Sequence, residues 1–348
     1  MHYHDIKGNP IVNHDRFPNF KDMTDHAHSL NLTSGWYGNN CDCSDHCRNE
    51  EECAMQIEGD VKAMTSFNFD AWKLDGCGGE KDLVLFNKFM QQAGKPIMVE
   101  NCHWGSVTPF KPDPSKPPAE GCPWNFYRTS GDVRASYASV VHNLATTVPL
   151  AAANLSYPGC WAYPDMLQVG CKHGPGGAGD PGLTMAETRS HFGAWVIVSS
   201  PLTLSHDVWD KNISDSVWPI ISNKEVLEVS AAYVGHSGSP FTQSEKSVYL
   251  TDSHIEANEA MTPVKASSYQ YLYKPVEADG AKTAVLMMNS ETSAQSLTVE
   301  FKSIPGVTCS KCHVRNIWEH KDLGVFDDKF TAGVGGHDAA FLIITPAA

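Results

Sequence analysis

The chain has 348 residues, 41% of them hydrophobic and 19% charged, which is material for one large domain and a smaller one. Its formal net charge of −14 argues against a protein that grips a nucleic-acid backbone, because such partners need clustered Lys and Arg. The longest apolar segment, 196–204, is broken by serines and a proline and falls short of the ~18–20 apolar residues that span a bilayer, so no membrane crossing is expected.

From about residue 17 to 229, amphipathic stretches with helical period alternate with short apolar runs. Helices are expected over 20–31, 53–67, 81–93, 134–149, 184–199 and 214–229, with strands over 33–37, 71–74, 96–100, 125–130, 160–167 and 201–205. Each short run ends in Gly, Cys, Asp or another polar residue. Such alternation implies βαβ units and a parallel sheet, and polar residues at strand carboxyl ends suit the active face of a (β/α)₈ TIM barrel. The Pro-rich segment 111–118 reads as a surface loop. After about Gly238 the texture changes to short β-branched or aromatic runs at 247–251, 269–273, 283–289, 296–301, 314–317 and 340–345, punctuated by Asp279-Gly280 and Gly335-Gly336. This second part reads as an antiparallel β-sandwich of ~100 residues. The expected organisation is therefore a barrel over 1–237 and a sandwich over 238–348.

Three motifs carry chemistry: Lys73-Leu74-Asp75-Gly76-Cys77, Arg128-Thr129-Ser130-Gly131-Asp132 and Trp161-Ala162-Tyr163-Pro164-Asp165-Met166. Retaining glycoside hydrolysis needs two carboxylates ~5–5.5 Å apart, one to attack the anomeric carbon and one to protonate the leaving oxygen. Lys73, two residues before Asp75, lies on the same face of a strand, and a cation there suits a carboxylate that must stay ionised as a nucleophile. Arg128 precedes Asp132 by four residues, and spacing leaves open whether it faces that carboxylate or a substrate. The plainer alternative is that an Asp before Gly at a strand end serves as a turn residue or helix cap, and that Arg128 is an ordinary ion-pairing side chain.

Taken together, the motifs resemble glycoside hydrolase family 27, the α-galactosidase and α-N-acetylgalactosaminidase family. The resemblance runs from about Gly8 to the C-terminus through Gly8-Asn9-Pro10, Arg16-Phe17-Pro18, Gly35-Trp36-Tyr37, the Lys73 motif, Asn101-Cys102-His103-Trp104-Gly105, the Arg128 motif, Pro164-Asp165-Met166-Leu167 and Ser190-His191-Phe192 leading to Pro201-Leu202. It implies a (β/α)₈ barrel followed by a β-sandwich, with Asp75 as nucleophile and Asp132 as general acid/base. Lys73 and Arg128 would bind sugar hydroxyls. Tyr37 and Met166 would line the sugar pocket beside Cys102, His103 and Trp104, with Asp165 in support. The implied substrate is a galactoside of an oligosaccharide or glycoconjugate, handled without metal or organic cofactor, and a homodimer remains open. Two departures bear on this. Family members place a Glu after the Cys, where this chain has His103, and their Trp-Asn-Asp-Pro-Asp is Trp161-Ala162-Tyr163-Pro164-Asp165 here. In-family rivals are therefore α-N-acetylgalactosaminidase and β-L-arabinopyranosidase, and a truncated, inactive relative is the alternative of another class.

The chain begins past the point where the family's first strand, first helix and second strand with its Asp-Asp pair are expected, so an N-terminally incomplete barrel is anticipated, with a signal peptide lost in the same truncation. Eleven cysteines and sequons at Asn31, Asn154 and Asn212 fit a secreted or lysosomal/vacuolar protein. The resemblance implies a Cys102–Cys122 bridge and a bridge from Cys77 to Cys41 or Cys43. Cys160–Cys171 and Cys309–Cys312 are local pairs to expect, with metal binding or a reduced state as the alternative for the second, a Cys-x-x-Cys. Cys41, Cys43, Cys47 and His46 offer zinc as an alternative, and His191 reads as a packed core histidine.

Overall fold

The computed structural model describes residues 3–38, 47–109, 122–172, 182–251 and 263–347. By its own contacts the chain falls into two units, Met1–Arg128 and Thr129–Ala348.

In the first unit, helices α1 (Phe20–Ser29), α2 (Glu50–Ser66) and α3 (Leu83–Ala93) alternate with strands β1 (Gly35–Gly38), β2 (Ala71–Asp75), β3 (Met98–Cys102) and β4 (Phe126–Arg128). The strands are parallel, in the order β1-β2-β3-β4. Helix starts are written into the sequence: Asn19, Asn49 and Asp82 each accept hydrogen bonds from backbone N–H groups of the first turn. Helix α3 stops at Gly94, whose φ of 72° is the left-handed value that glycine tolerates best. Trp72, Leu74 and Val99 from the sheet are buried with Ile57, Val61, Met64, Phe86 and Met90 from the helices. A Cβ on Gly59 would lie 1.8 Å from the Gly8 carbonyl oxygen, so the Gly8-Asn9 segment packs directly on the backbone of α2.

The second unit opens with α4 (Tyr137–Ala145), α5 (Val148–Ala152), β5 (Trp161–Tyr163), α6 (Met185–Ile197), α7 (Lys211–Ile221) and α8 (Lys224–Ala231). The expected helices 134–149 and 214–229 are each two. Pro149 sits at the start of α5, where its missing N–H costs nothing, and Asn223 caps α8 by accepting from Glu225 and Val226 N–H. The expected strand 201–205 is reduced to a single parallel bridge between Leu204 and Leu167. The strands β6 (Ser239–Gln243), β7 (Ser247–Leu250), β8 (Val264–Ser267), β9 (Tyr269–Pro275), β10 (Thr283–Asn289), β11 (Gln295–Glu300), β12 (Lys311–Asn316), β13 (Lys321–Asp327), β14 (Lys329–Val334) and β15 (Ala339–Pro346) follow. Six form an antiparallel sheet in the order β13-β12-β15-β10-β9-β6, and β11-β14 and β7-β8 form two-stranded ladders.

Strand β10 is buried throughout because both its faces are covered. Ala284, Leu286 and Met288 join a core with Phe192, Trp195 and Val196 of α6, whereas Val285 and Met287 pack against Leu297, Val299 and Phe330 of β11 and β14. Helix α6 is buried on every side from Ser190 to Ile197, where Phe192, Ala194, Trp195, Val196 and Ile197 make it largely apolar. Its start carries a reciprocal capping box between Thr184 and Glu187. No helix among the described residues is long and apolar enough to cross a membrane.

Candidate active site

Parallel pairing aligns Tyr37, Lys73 and Glu100 across β1, β2 and β3, and aligns Asp75 with Cys102. These residues share the carboxyl ends of the strands, where side chains of a parallel sheet project beyond its packed interior. Asp75 is 5% exposed. Its Oδ2 accepts a hydrogen bond from the Tyr37 hydroxyl, and its Oδ1 accepts from the Gly76 N–H at 2.9 Å. Two donors thus fix the carboxylate's plane. Lys73 Nζ stands 3.4 Å from Glu100 Oε1 and 5.7 Å from the centre of the Tyr37 ring. Arg128 is buried at the end of β4, with Nη1 3.5 Å from Cys102 Sγ. The sequence reading did not single out Glu100, although its position two residues before Cys102 repeats the Lys73–Asp75 spacing.

The segment after β3 differs from expectation. His103 is buried, with Nδ1 2.8 Å from Asn101 Oδ1 and Nε2 3.2 Å from the Lys81 carbonyl oxygen, so both ring nitrogens are engaged by protein. A Cβ on Gly76 would come within 3.1–3.2 Å of His103, so the Asp75-Gly76 turn is packed against this ring. Trp104, with φ 49°, is 39% exposed. Cys102 is a buried thiol and not half of a Cys102–Cys122 bridge, although Cys122 is disulfide-bonded. Burial pushes that thiol up to about 12, against the opposing pull of Lys73 and Arg128.

In the second unit, Asp132 is exposed on a turn and Asp165 is buried. Asp165 adopts φ 90°, a conformation L-residues seldom hold without support. Three contacts supply it. Asp165 Oδ2 accepts from the Val133 N–H at 2.9 Å, next to Asp132. Its carbonyl oxygen accepts from Trp195 Nε1 at 2.6 Å. Asn143 Nδ2 on α4 donates to the carbonyls of both Gly131 and Pro164 at 3.0 Å. Met166 follows, half-buried. His191 is the packed histidine expected: it is fully buried, edge-on to Trp195, and Nε2 accepts from Gln168 N–H at 2.9 Å. Burial lowers it to about 3, so it is neutral. Neither Asn143 nor Trp195 was legible as a site residue, because their roles depend on through-space contacts.

Cys171 is a thiol, so Cys160–Cys171 does not form, and Cys160 is disulfide-bonded otherwise. Cys171 Sγ instead lies 3.2 Å from Ser205 Oγ. Cys309–Cys312 forms as expected, and Cys47 pairs with Cys53, which removes Cys47 from the zinc alternative. Cys77 is disulfide-bonded, while Cys41, Cys43, His46 and the 111–118 loop lie outside the described residues. Among the described residues, His4, Asp60 and Glu80 bring ligand-type atoms within 4.8 Å of one another. Their carboxylates address opposite ring nitrogens, Asp60 at Nε2 (3.0 Å) and Glu80 at Nδ1 (3.6 Å). That arrangement suits an imidazole bridged by two carboxylates better than three ligands converging on one ion.

Parallel βα units with carboxylates, a lysine and an arginine at their strand carboxyl ends, followed by an antiparallel sandwich, define a glycoside hydrolase built on a (β/α)₈ barrel and a β-sandwich. Residues 2–232 match the family model described as alpha galactosidase A, and residues 266–344 match that of the alpha galactosidase C-terminal beta sandwich domain. The chain belongs to this family, glycoside hydrolase family 27, and is an O-glycosyl hydrolase by that membership. It is 26% identical to an alpha-galactosidase of Oryza sativa subsp. japonica over 349 aligned positions, covering 98% of this chain and 72% of that protein. The fold is similar to the alpha-galactosidase of Saccharomyces cerevisiae solved with raffinose, at a TM-score of 0.78 and 17% identity, covering 99% of this chain and 87% of that one. It is also similar to a β-L-arabinopyranosidase of Geobacillus stearothermophilus, with a TM-score of 0.74, 17% identity, and coverage of 99% and 83%.

Proposed function

We propose that this protein hydrolyses terminal α-D-galactosides with retention, by double displacement. Asp75 attacks the anomeric carbon while Asp132 protonates the departing glycosidic oxygen. Asp132 then takes a proton from water, which adds to the anomeric carbon and releases Asp75. Lys73 and Arg128 hold sugar hydroxyls, Tyr37 and Met166 line the pocket, and Asp165 supports the turn of Asp132. The catalytic domain spans 1–237 and the sandwich 238–348.

The observation that carries this reading is Asp75 itself: a buried carboxylate at a strand's carboxyl end, oriented by the Tyr37 hydroxyl and the Gly76 N–H. The test is hydrolysis of p-nitrophenyl α-D-galactoside followed by NMR. The α-anomer is expected as first product, and Asp75→Asn is expected to abolish turnover. Appearance of β-galactose first would sink retention, and substantial activity of Asp75→Asn would sink the nucleophile assignment.

A second reading within the family is favoured by one observation. His103 stands after Cys102, and its ring nitrogens face Asn101 and the Lys81 carbonyl. A residue so engaged is a poor replacement for a Glu that reads the sugar's 2-hydroxyl, so the ring substituents accepted differ from those of an ordinary α-galactosidase. Parallel assays with p-nitrophenyl β-L-arabinopyranoside and α-N-acetylgalactosaminide decide the sugar. A secretory or vacuolar route is supported by the disulfides and by the exposure of Asn31, Asn154 and Asn212.

A further inference from the structure

Glu100 on β3 is in register with Lys73 on β2, which is in turn in register with Tyr37 on β1. Residues so aligned on neighbouring parallel strands point to the same face of the sheet, so the three form one row across it. On the far side of Glu100 the row continues to Phe126 of β4, whose ring carries no polar atom. The charged neighbour of Glu100 within the row is therefore Lys73. Their charged atoms stand 3.4 Å apart, and the Glu100 side chain is only 13% exposed. Asp75 and Cys102, in register with each other, form the next row toward the carboxyl ends of the strands.

The Cys102 thiol reports how these charges are arranged. Burial is the largest cause of its rise; beyond that, Lys73 and Arg128 pull it down, while Asp75 and Glu100 push it up. Two cations and two carboxylates are thus gathered around one sulfur, and Glu100 supplies the second negative charge. Lys73 precedes Asp75 by two residues on the same strand face, roughly 7 Å along the strand, and its ammonium rides on a flexible four-carbon stem. An ammonium that swung up onto Asp75 would tie the carboxylate into an ion pair and be lost to a sugar hydroxyl. The Glu100 carboxylate opposes that motion, because it attracts the ammonium at the level of Lys73 itself, one row below Asp75. The Tyr37 ring, 5.7 Å from Nζ, flanks the ammonium from β1.

We propose that Glu100 is a positioning residue for the hydrolysis, acting through Lys73: it anchors the ammonium beside the sugar site and keeps it from closing on Asp75. The inference rests on the proposed function, whose nucleophile and lysine it takes over, and it adds Glu100 to them.

The test uses p-nitrophenyl α-D-galactoside and the full chain. Glu100→Gln keeps the shape and removes the charge. Its kcat/KM is expected to fall about 10–100-fold, mostly in kcat, because the nucleophile is the group obstructed. Glu100→Asp, which keeps the charge within reach of a flexible lysine, is expected to recover most of that loss. In a Lys73→Met background there is no ammonium to hold, so Glu100→Gln is expected to cost nothing further. A normal kcat/KM in Glu100→Gln overturns the proposal. So does an equal further loss in the Lys73→Met background, which would make Glu100 a direct sugar contact or a purely structural group. A crystal structure of the unaltered chain with galactose keeps the test independent of whether the variants fold. Lys73 Nζ is expected between Glu100 and a sugar hydroxyl, and Nζ seated on Asp75 overturns the proposal. If Asp75→Asn keeps its activity, the active-site reading fails and this inference with it. If Asp75→Asn is inactive while Glu100→Gln is normal, only the positioning role falls.

Discussion

Asn143 Nδ2 lies 3.0 Å from the carbonyl oxygen of Gly131 and 3.0 Å from that of Pro164. One buried amide on α4 thereby ties the turn that carries Asp132 to the segment that carries Asp165. Asp165 repeats the link from the other side, through its Oδ2 and the Val133 N–H. Replacing Asn143 by Leu keeps the volume and strands both carbonyls, so stability is expected to fall by about 1–3 kcal/mol. If the tie positions the acid/base, kcat falls ~10–100-fold with little change in KM. Urea unfolding and steady-state kinetics measure the two effects, and a normal kcat in a destabilised variant would make Asn143 purely structural.

Tyr37→Phe removes a donor that orients Asp75, at a ring that is 42% exposed and contributes little to the core. The expected outcome is an unchanged melting temperature with kcat/KM lower by roughly 10–100-fold, from a nucleophile free to rotate. Full activity in the Phe variant would remove Tyr37 from the site.

Lys274 is completely buried in β9, with Nζ donating to the Ser230 carbonyl at 2.9 Å. Burial lowers it from its ordinary 10.5 to about 7. Between those values the unfolded chain holds a proton that the folded chain has shed, so stability is expected to rise as pH climbs from about 7 to 10.5. Lys274→Met should flatten that dependence and stabilise the protein at neutral pH by about 1–3 kcal/mol. Denaturant unfolding at several pH values reads both effects, and destabilisation by Met would show that the Ser230 hydrogen bond outweighs the burial of charge.

Glu225 on α8 accepts from Arg315 at 2.6 and 2.8 Å and lies 2.6 Å from His320 Nδ1, which joins the helix to the sandwich strand β12. The Arg315 hydrogen bond is the largest cause of its fall from 4.5 to about 2. Its stabilisation is therefore fully present above pH 4.5 and lost as pH falls toward 2. Because the pair is partly exposed, Glu225→Gln is expected to cost only about 1 kcal/mol at pH 6 and to weaken the acid sensitivity of unfolding. A parallel acid profile in the variant would refute this assignment.

Much of the molecule is legible from periodicity and turn chemistry. Asn19, Asn49 and Asp82 announce the helices they cap, β10 matches its expected bounds of 283–289, and the alternation of helix and strand from α1 to β4 follows from local apolar spacing. The motifs that contain Asp75, Asp132 and Asp165 are equally visible as sequence. Strands β6, β8, β13 and β14 were missed because they are short, polar or marked by Pro240, Gly324 and Gly333, and their neighbours rather than their composition make them strands. Two of the expected cysteine pairings, Cys102–Cys122 and Cys160–Cys171, were misjudged for the same kind of reason. Whether Cys102 meets Cys122 or Arg128 depends on where β3 and β4 end in space. The sequence by itself determined the elements and the chemical types at the strand ends, because propensity, capping and periodicity act over a few residues. Only the tertiary structure decided that Asn143 holds two loops, that His103 turns to Asn101 and Lys81, and that Lys73 stands beside Glu100. Those are distances between residues far apart in the chain, which local chemistry does not encode.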